Sequence, residues 1–520
     1  MHPFARGRQA AVTETYAALP DKPYLSAPGS TTAVGLHIGG SWRPASDGGV
    51  RQITNPYDAS VLTVVSEATA ADVDDAVAAA RAAFDGGPWR SVSAGERGEL
   101  LHRVADLLVR DRAEIALMES LDTGKTLREG EIDVDDVTAV FRYYAGLADK
   151  DAGRIVPAPE GVLSRVVYEP VGVCAMITPW NYPLLQLSWK VAPALAAGNT
   201  MVVKPSEVTP VTTLKLMELL VEAGVPAGVV NLVPGAGATV GAALVAHPDV
   251  DLVSFTGGLA TGSGIMAAAA PTVKKVALEL GGKNPNIIFD DVDLDTAVDY
   301  ALTAAFLHSG QVCSAGARLI VHEDVHDAFT AELARRAEAI TLGHPLAAGT
   351  ECGPLVSAEH RAKVEAAVAR GTEEGARIIA GGHRPDDPEL ARGYFYRPTL
   401  FVDCHRGMSI VQEEVFGPVA TVERFRTEAE AIELGNDTRY GLSGGVWTSD
   451  VARGERVAAA LRHGTVWIND FGPYIPGAEW GGFGRSGIGR ELGPAGLDEY
   501  REAKHLYRNL DPRPQRWFGS

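Results

Sequence analysis

A chain of 520 residues is longer than one hydrophobic core sustains, so two or more domains are expected. Its hydrophobic share of 46% and charged share of 22% are ordinary for a soluble globular protein, and a formal net charge of −19 argues against nucleic acid, whose phosphates need clustered Lys and Arg. Four cysteines without close spacing point to a reducing compartment, the cytoplasm by default, and to no disulfide framework, while no apolar run has signal-peptide character or membrane-spanning length.

Residues 1–33 read as a Pro- and Ser-containing extension. From Leu36, LHIGGSWRP predicts a short strand pair and TNPYDASVLTVVSEA another. ADVDDAVAAARAAFD predicts a helix whose Asp-rich first turn suits the positive helix end, and ERGELLHRVADLLVRDRAEIALMESLDTGK continues with apolar residues at helical spacing. LDTGKT imitates the end of a phosphate-binding loop, but Glu119 stands where the required glycine belongs. Between Gly172 and Gly281, five apolar strands alternate with helices: GVCAMITPW, TMVVKPS, GVVNLVPG, VDLVSFTGG and KKVALELGG. That alternation predicts a parallel sheet covered on both faces, which binds ligands beyond the carboxyl ends of its strands. A second alternating block runs from about Asn286 to Asn469, with strands NIIF, ARLIVH, ARIIAGG, YFYRPTLFVD, VATVERF, GGVWT and TVWIND, and reads as another α/β domain.

FLHSGQVCSAG places Cys313 on a Gly-punctuated turn after an apolar helical run. A free thiol is only about 3% thiolate at pH 7, so a neighbour must supply the chemistry. VALELGGKNPNIIFDD carries one carboxylate, Glu279, in an apolar strand ahead of two glycines, and the pair suggests a nucleophile and a base meeting across a domain cleft. Cys174, Cys352 and Cys404 lack such partners and read as packed small hydrophobes. VDLVSFTG followed by GLATGSGIMAAAA is a strand, Gly-rich turn and helix whose amides suit a pyrophosphate, although Gly257 and Gly262 miss the dinucleotide spacing and a plain turn explains them nearly as well. Asn181, in ITPWNYP, is placed to project its amide into a cleft. Lys204 and Glu207, in KPSE, end a parallel strand where an ammonium and a carboxylate would meet ribose or phosphate. HEDVH matches a zinc-protease string, but His322 ends a predicted strand and Glu323 begins the next helix, so it reads as a chance match and no metal is expected.

Taken together, TPWNYP, KPSE, FTGG, ELGGKNP, GQVCSAG, EEVFGPV and WGGFGRSGIGRELG resemble the aldehyde dehydrogenase superfamily over nearly everything after residue 34. The resemblance implies an α/β fold with a Rossmann-like cofactor domain (34–149 and 172–281), an α/β catalytic domain (282–472) and a small β oligomerisation arm (150–171 and 495–520) building a homodimer or homotetramer. It implies that Cys313 is the nucleophile, Glu279 the base that activates water, Asn181 with the Cys313 N–H the oxyanion hole, and Lys190 with Glu491 a relay for proton exit. Thr178, Pro179, Trp180, Lys204, Ser206, Glu207, Gly237, Phe255, Gly257, Gly258, Leu280, Gly281, Glu414 and Phe416 fall on positions that hold NAD in the family. Gly258 replaces a frequent Ser and so lacks a hydroxyl toward the pyrophosphate.

Glu279 favours a free acid product over a CoA thioester, and the negative charge of Glu207 favours NAD over NADP. Among branches, the betaine aldehyde dehydrogenases are most similar, on the strength of NYPLLQLSWKVAPALAAGNT and WGGFGRSGIGREL. A small-molecule aldehyde bearing a trimethylammonium or amino group is therefore expected, with neutral aldehydes as the alternative. Tyr182, Trp189, Tyr474 and Trp480 would line the tunnel as a cation cage, with Leu307 where that branch often carries Trp and Glu479 adding negative charge. A thioesterase or a silent structural protein on the same scaffold would not need Lys204, Glu414 and the intact Cys313, Glu279 and Asn181 together.

Overall fold

The computed structural model describes residues 33–150 and 153–518. Of the extension expected over 1–33, all but Ala33 lies outside these residues. An eight-stranded sheet carries, in spatial order, Gly487–Ile488, Lys275–Leu280, Leu252–Gly257, Val173–Ile177, Thr200–Lys204, Val230–Leu232, Leu36–Ile38 and Ser41–Arg43. Its five middle strands are the five apolar runs of the sequence and run parallel. Their residues are buried on both faces almost throughout, which is why they read as continuous apolar stretches rather than as alternating ones. Both edges come from distant segments. Leu36–Ile38 runs antiparallel to Val230–Leu232, and Gly487–Ile488 lies antiparallel on Leu278 and Glu279. A two- or three-residue strand has no periodicity to announce its partner, so neither pairing was foreseeable.

The helix Ala70–Gly86 starts on a capping box in which the Asp72 carboxylate also accepts from the Ser46 N–H. The long helical stretch expected after Glu96 is broken in two, Ala94–Arg110 and Arg112–Thr123, at Asp111. The side chain of Asp111 accepts from Arg110 at 2.7 Å and pairs with Lys215 at 2.8 Å. These two cations, Arg110 foremost, hold its carboxyl well below the usual range. Two such partners reward a bend that apolar spacing alone does not reveal. Arg112–Thr123 then stops at Gly124, whose φ of +83° closes the helix in the left-handed conformation.

A seven-stranded sheet holds all seven strands of the second block, in the order Arg377–Ala380, Thr399–Val402, Val419–Phe425, Arg318–His322, Pro285–Ile288, Ser443–Trp447 and Thr465–Ile468. It is parallel except for its edge strand Arg377–Ala380. In the HEDVH string, His322 ends a strand and its ring caps Glu323–Ala339 by accepting from the Asp324 N–H. Arg154–Ile155, Val162–Pro170 and Arg501–Asn509 form a separate antiparallel sheet in which Arg501 faces Pro170 and Asn509 faces Val162. No helix among the described residues is long and apolar enough to cross a membrane.

Four parallel strands of the larger sheet end on one side, delivering Thr178 to Asn181, Lys204 to Glu207, Gly257, and Glu279 to Gly281 to a common edge. The loop that carries Cys313 leaves the helix Leu294–Phe306 toward that edge.

Candidate active site

The segment before Cys313 is conformationally costly. His308, Ser309 and Gly310 are consecutive left-handed residues with φ of 49°, 54° and 68°, and two of them bear side chains, at roughly 1–2 kcal/mol each. Several bonds compensate. The His308 N–H donates to Glu129 at 2.7 Å, the Ser309 hydroxyl to the Gly353 carbonyl at 2.6 Å, and the Gln311 side chain accepts from the Val356 N–H at 2.9 Å. Asn284 donates to the carbonyls of both Cys313 and Ala315, at 2.9 and 3.0 Å. Gly310 has no alternative: a Cβ there would lie 2.1 Å from the Gly417 carbonyl oxygen.

Cys313 is half-buried against the same apolar cluster as Trp189 and Trp480. Burial, then the charges of Glu279 and Glu414, push its thiol well above the usual range, so at rest it is protonated and needs a base. Burial likewise raises Cys352 and Cys404, each to about 12. The buried Asn181 amide donates to the Gln311 carbonyl at 2.8 Å, which brings it onto the nucleophile loop.

Glu279 lies on the strand Lys275–Leu280 opposite Thr256 on one side and Gly487 on the other. Its Oε1 accepts from the Trp480 indole N–H at 2.9 Å. Burial raises its carboxyl well above the usual range and the charge of Glu491 adds to this, while the Trp480 donor, Lys190 and Arg490 oppose it. Glu491 forms a buried ion pair with Lys190, and its backbone is bonded both ways to that of Trp480, at 2.6 and 2.7 Å. The Glu279 carboxyl, the indole and the ion pair are therefore contiguous.

At the strand ends, Lys204 does not offer its ammonium outward. It donates to the carbonyls of Pro205 and Gly235, at 2.7 and 2.9 Å, and lies 3.5 Å from Glu207, so its three hydrogens are already engaged. Glu207 is half-exposed and accepts weakly, at 3.4 Å, from the Gly237 N–H. The Ser206 hydroxyl is turned back to the Val208 N–H. Gly258 opens the helix Leu259–Ala269 without a side-chain cap, and a Cβ there would meet nothing within 4 Å. Phe255 and Leu280 are core residues, the first packed over Gly257 and the second over Gly262. Thr178, Pro179 and Trp180 follow the first parallel strand. Trp180 meets Phe416 edge-on at 5.1 Å and His360 at 4.8 Å, a wall to which sequence reasoning did not add His360. Burial pushes the Glu414 carboxyl up to about 7. It accepts from the Gly282 N–H at 3.2 Å and lies so close over Gly281 that a Cβ there would sit 2.0 Å from its Oε2. An open helix start, a ring wall and two carboxylates at the carboxyl ends of parallel strands form a cradle that suits a dinucleotide.

On the other side of Cys313, Trp189, Tyr474 and Trp480 form an aromatic box with ring centroids 5.1, 5.9 and 6.3 Å apart. Tyr182 is less available than expected, because the buried Lys125 ammonium already sits 4.1 Å over its ring, held by Glu119 and Asp133. Leu307 is 43% exposed at the end of its helix. Glu479 is exposed and packs against Gly493, so it does not line the box. The acidic group nearest the box is instead Asp136, half-buried toward the Tyr474 hydroxyl, with its carboxyl raised by burial. Asp136 was hidden in an ordinary acidic helix, IDVDD; only its placement distinguishes it from Asp135, which pairs with Arg112 outside.

A nucleophile, a buried carboxylate and a dinucleotide cradle around one loop agree with the match of residues 42–506 to the aldehyde dehydrogenase family model. The chain belongs to the aldehyde dehydrogenase family. It is 59% identical to betaine aldehyde dehydrogenase of Bacillus subtilis (strain 168), over 93% of this chain and 99% of that one. It is 45% identical to the peroxisomal aminoaldehyde dehydrogenase 1 of Pisum sativum, over 93% and 97%. The crystal structure of betaine aldehyde dehydrogenase from Staphylococcus aureus in complex with NAD+ matches with a TM-score of 0.93 and 50% identity, over 94% of this chain and 97% of that one. The two α/β units and the three-stranded arm are the fold of this family.

Gly310→Ala is expected to destabilise the protein by about 2 kcal/mol or more, because it adds both a left-handed Cβ and a backbone clash. Chemical denaturation with parallel measurement of Cys313 alkylation checks it; unchanged stability and alkylation would show that the loop does not depend on this glycine.

Proposed function

We propose that the protein oxidises an aldehyde carrying a quaternary ammonium or amino group, betaine aldehyde foremost, to the free carboxylic acid, with NAD as cofactor and residues 34–149 and 172–281 as the cofactor domain. The observation that carries the substrate class is the aromatic box of Trp189, Tyr474 and Trp480, with the half-buried Asp136 toward the Tyr474 hydroxyl. Aromatic faces attract such cations by roughly 0.5 to 2 kcal/mol each, and a partly buried carboxylate adds to this. The similarity to a betaine aldehyde dehydrogenase and to an aminoaldehyde dehydrogenase supports the same class.

In this reading Cys313 loses its proton to Glu279 and its sulfur attacks the aldehyde carbon. The oxyanion of the thiohemiacetal is held by the Asn181 amide and the Cys313 N–H, each worth roughly 3 to 4 kcal/mol in comparable sites. Bound NAD supplies the hydride acceptor. Glu491 with Lys190 pass the Cys313 proton outward, which returns Glu279 to its carboxylate, and Glu279 then takes a proton from the water that cleaves the thioester, a general-base contribution of typically ~10² to 10⁴ in rate. Retention of Glu279 supports hydrolysis rather than transfer to a thiol. For the cofactor, a 2′-phosphate about 4 Å from Glu207 would be repelled by roughly 4 kcal/mol per unit charge at an effective dielectric of 20. Lys204, with its hydrogens engaged, is poorly placed to offset this. We also propose that the strand Arg501–Asn509, mostly exposed along its length, joins a second copy in a homodimer or homotetramer. Four unpaired cysteines suit the cytoplasm.

Purified protein with NAD is expected to turn over betaine aldehyde with a higher kcat/KM than propanal, and Asp136→Asn is expected to raise KM for the cationic aldehyde about tenfold while leaving that for propanal unchanged. Equal kcat/KM for both aldehydes would favour the neutral-substrate alternative. Glu207→Gln is expected to improve kcat/KM with NADP relative to NAD, read from initial rates with both cofactors. Deletion of residues 501–518 is expected to shift sedimentation toward the monomer.

A further inference from the structure

Trp480 faces two ways. Its ring closes the aromatic box, 5.9 Å from Trp189 and 6.3 Å from Tyr474, while its N–H reaches Glu279 Oε1 at 2.9 Å. Its backbone is locked by paired hydrogen bonds to Glu491, the acid of the ion pair with Lys190. A tunnel-wall aromatic needs only a face, and Phe would serve. The nitrogen does something else.

We infer that Trp480 is the positioning residue of the base: its indole N–H fixes one oxygen of Glu279 so that the other is presented to the attacking water. The inference rests on the reading of Glu279 as the base. An indole nitrogen is a donor only, so it cannot serve a protonated carboxyl as acceptor and it favours the ionised form. The charged groups facing Glu279 are Glu491 and Arg490 from the segment after Trp480, Lys190 from the helix Pro183–Ala197, and the Cys313 thiol. Glu491 makes the carboxylate harder to ionise, whereas Lys190, Arg490 and the indole make it easier. Deleting the indole donor removes one of the three groups that keep a deeply buried carboxyl usable as a base. Base strength and substrate seating would then share one side chain, so they can be separated by keeping the ring and removing the nitrogen.

The test compares wild type, Trp480→Phe and Trp480→Leu. Because the base works ionised, the activity limb rises with pH through its pKa. In Trp480→Phe that limb is expected to move up by about one pH unit, with kcat below the limb falling about tenfold and KM for betaine aldehyde nearly unchanged. The NADH burst is expected to slow along the same pH limb, because Glu279 also takes the Cys313 proton before the thioester forms. Trp480→Leu, which removes the ring as well, is expected to raise KM too. A second readout needs no turnover: infrared titration of the protonated-carboxyl band that disappears in Glu279→Gln. Its midpoint is expected to rise in Trp480→Phe. An unmoved or lowered midpoint overturns the inference. A raised midpoint in a protein that fails to oxidise aldehydes supports the link between Trp480 and Glu279 and overturns only the activity reading.

Discussion

The site is organised around one carboxylate held inside a sheet. Glu279 sits between two hydrogen-bonded neighbours on the strand Lys275–Leu280 and is 3% exposed, in surroundings where an ionised carboxyl is poorly solvated. Such a group keeps its charge only if specific donors and cations replace the water it has lost. Trp480, Lys190 and Arg490 do so, and all three come from elements distant in the chain. The antiparallel edge strand Gly487–Ile488 belongs to the same solution, since it covers the strand and brings Arg490 and Glu491 behind it.

The Cys313 loop answers a different constraint. Its left-handed run, His308 to Gly310, keeps one shape only because surrounding groups hold it. Glu129 and Gly353 pin the front of the loop, and Asn284 pins its end from the segment just after Glu279. The turn that follows the Glu279 strand thus supplies the residue that holds the Cys313 turn. Between Glu279 and Asn284, Gly281 leaves room for Glu414 to lie across the backbone.

Buried charge surrounds the site in pairs. Lys190 with Glu491, Lys125 with Glu119 and Asp133, and Arg318 with Glu423 are all nearly inaccessible to solvent. Removing one member of such a pair typically costs about 3–5 kcal/mol, because the other is left uncompensated. These pairs therefore fix side-chain positions more than they add net stability. Lys125 shows the effect most directly: its ammonium covers one face of Tyr182.

Much of this was legible in the residues. Five fully apolar runs between glycines predict a parallel sheet covered on both sides, because only strands buried on both faces lack alternation, and all five are present. Cys313 and Glu279 stood out because each is a reactive side chain in a setting with no structural need for it. The chain's own text says nothing of what comes from far away: the pairing of Leu36–Ile38 with Val230–Leu232, the edge strand Gly487–Ile488, the bend at Asp111, the engagement of Lys204, the indole over Glu279, and the difference between Asp136 and Asp135. Local sequence determines backbone preference and burial period, since those depend on near neighbours. Which donor meets which acceptor across hundreds of residues depends on how the layers stack, and only the folded chain decides that.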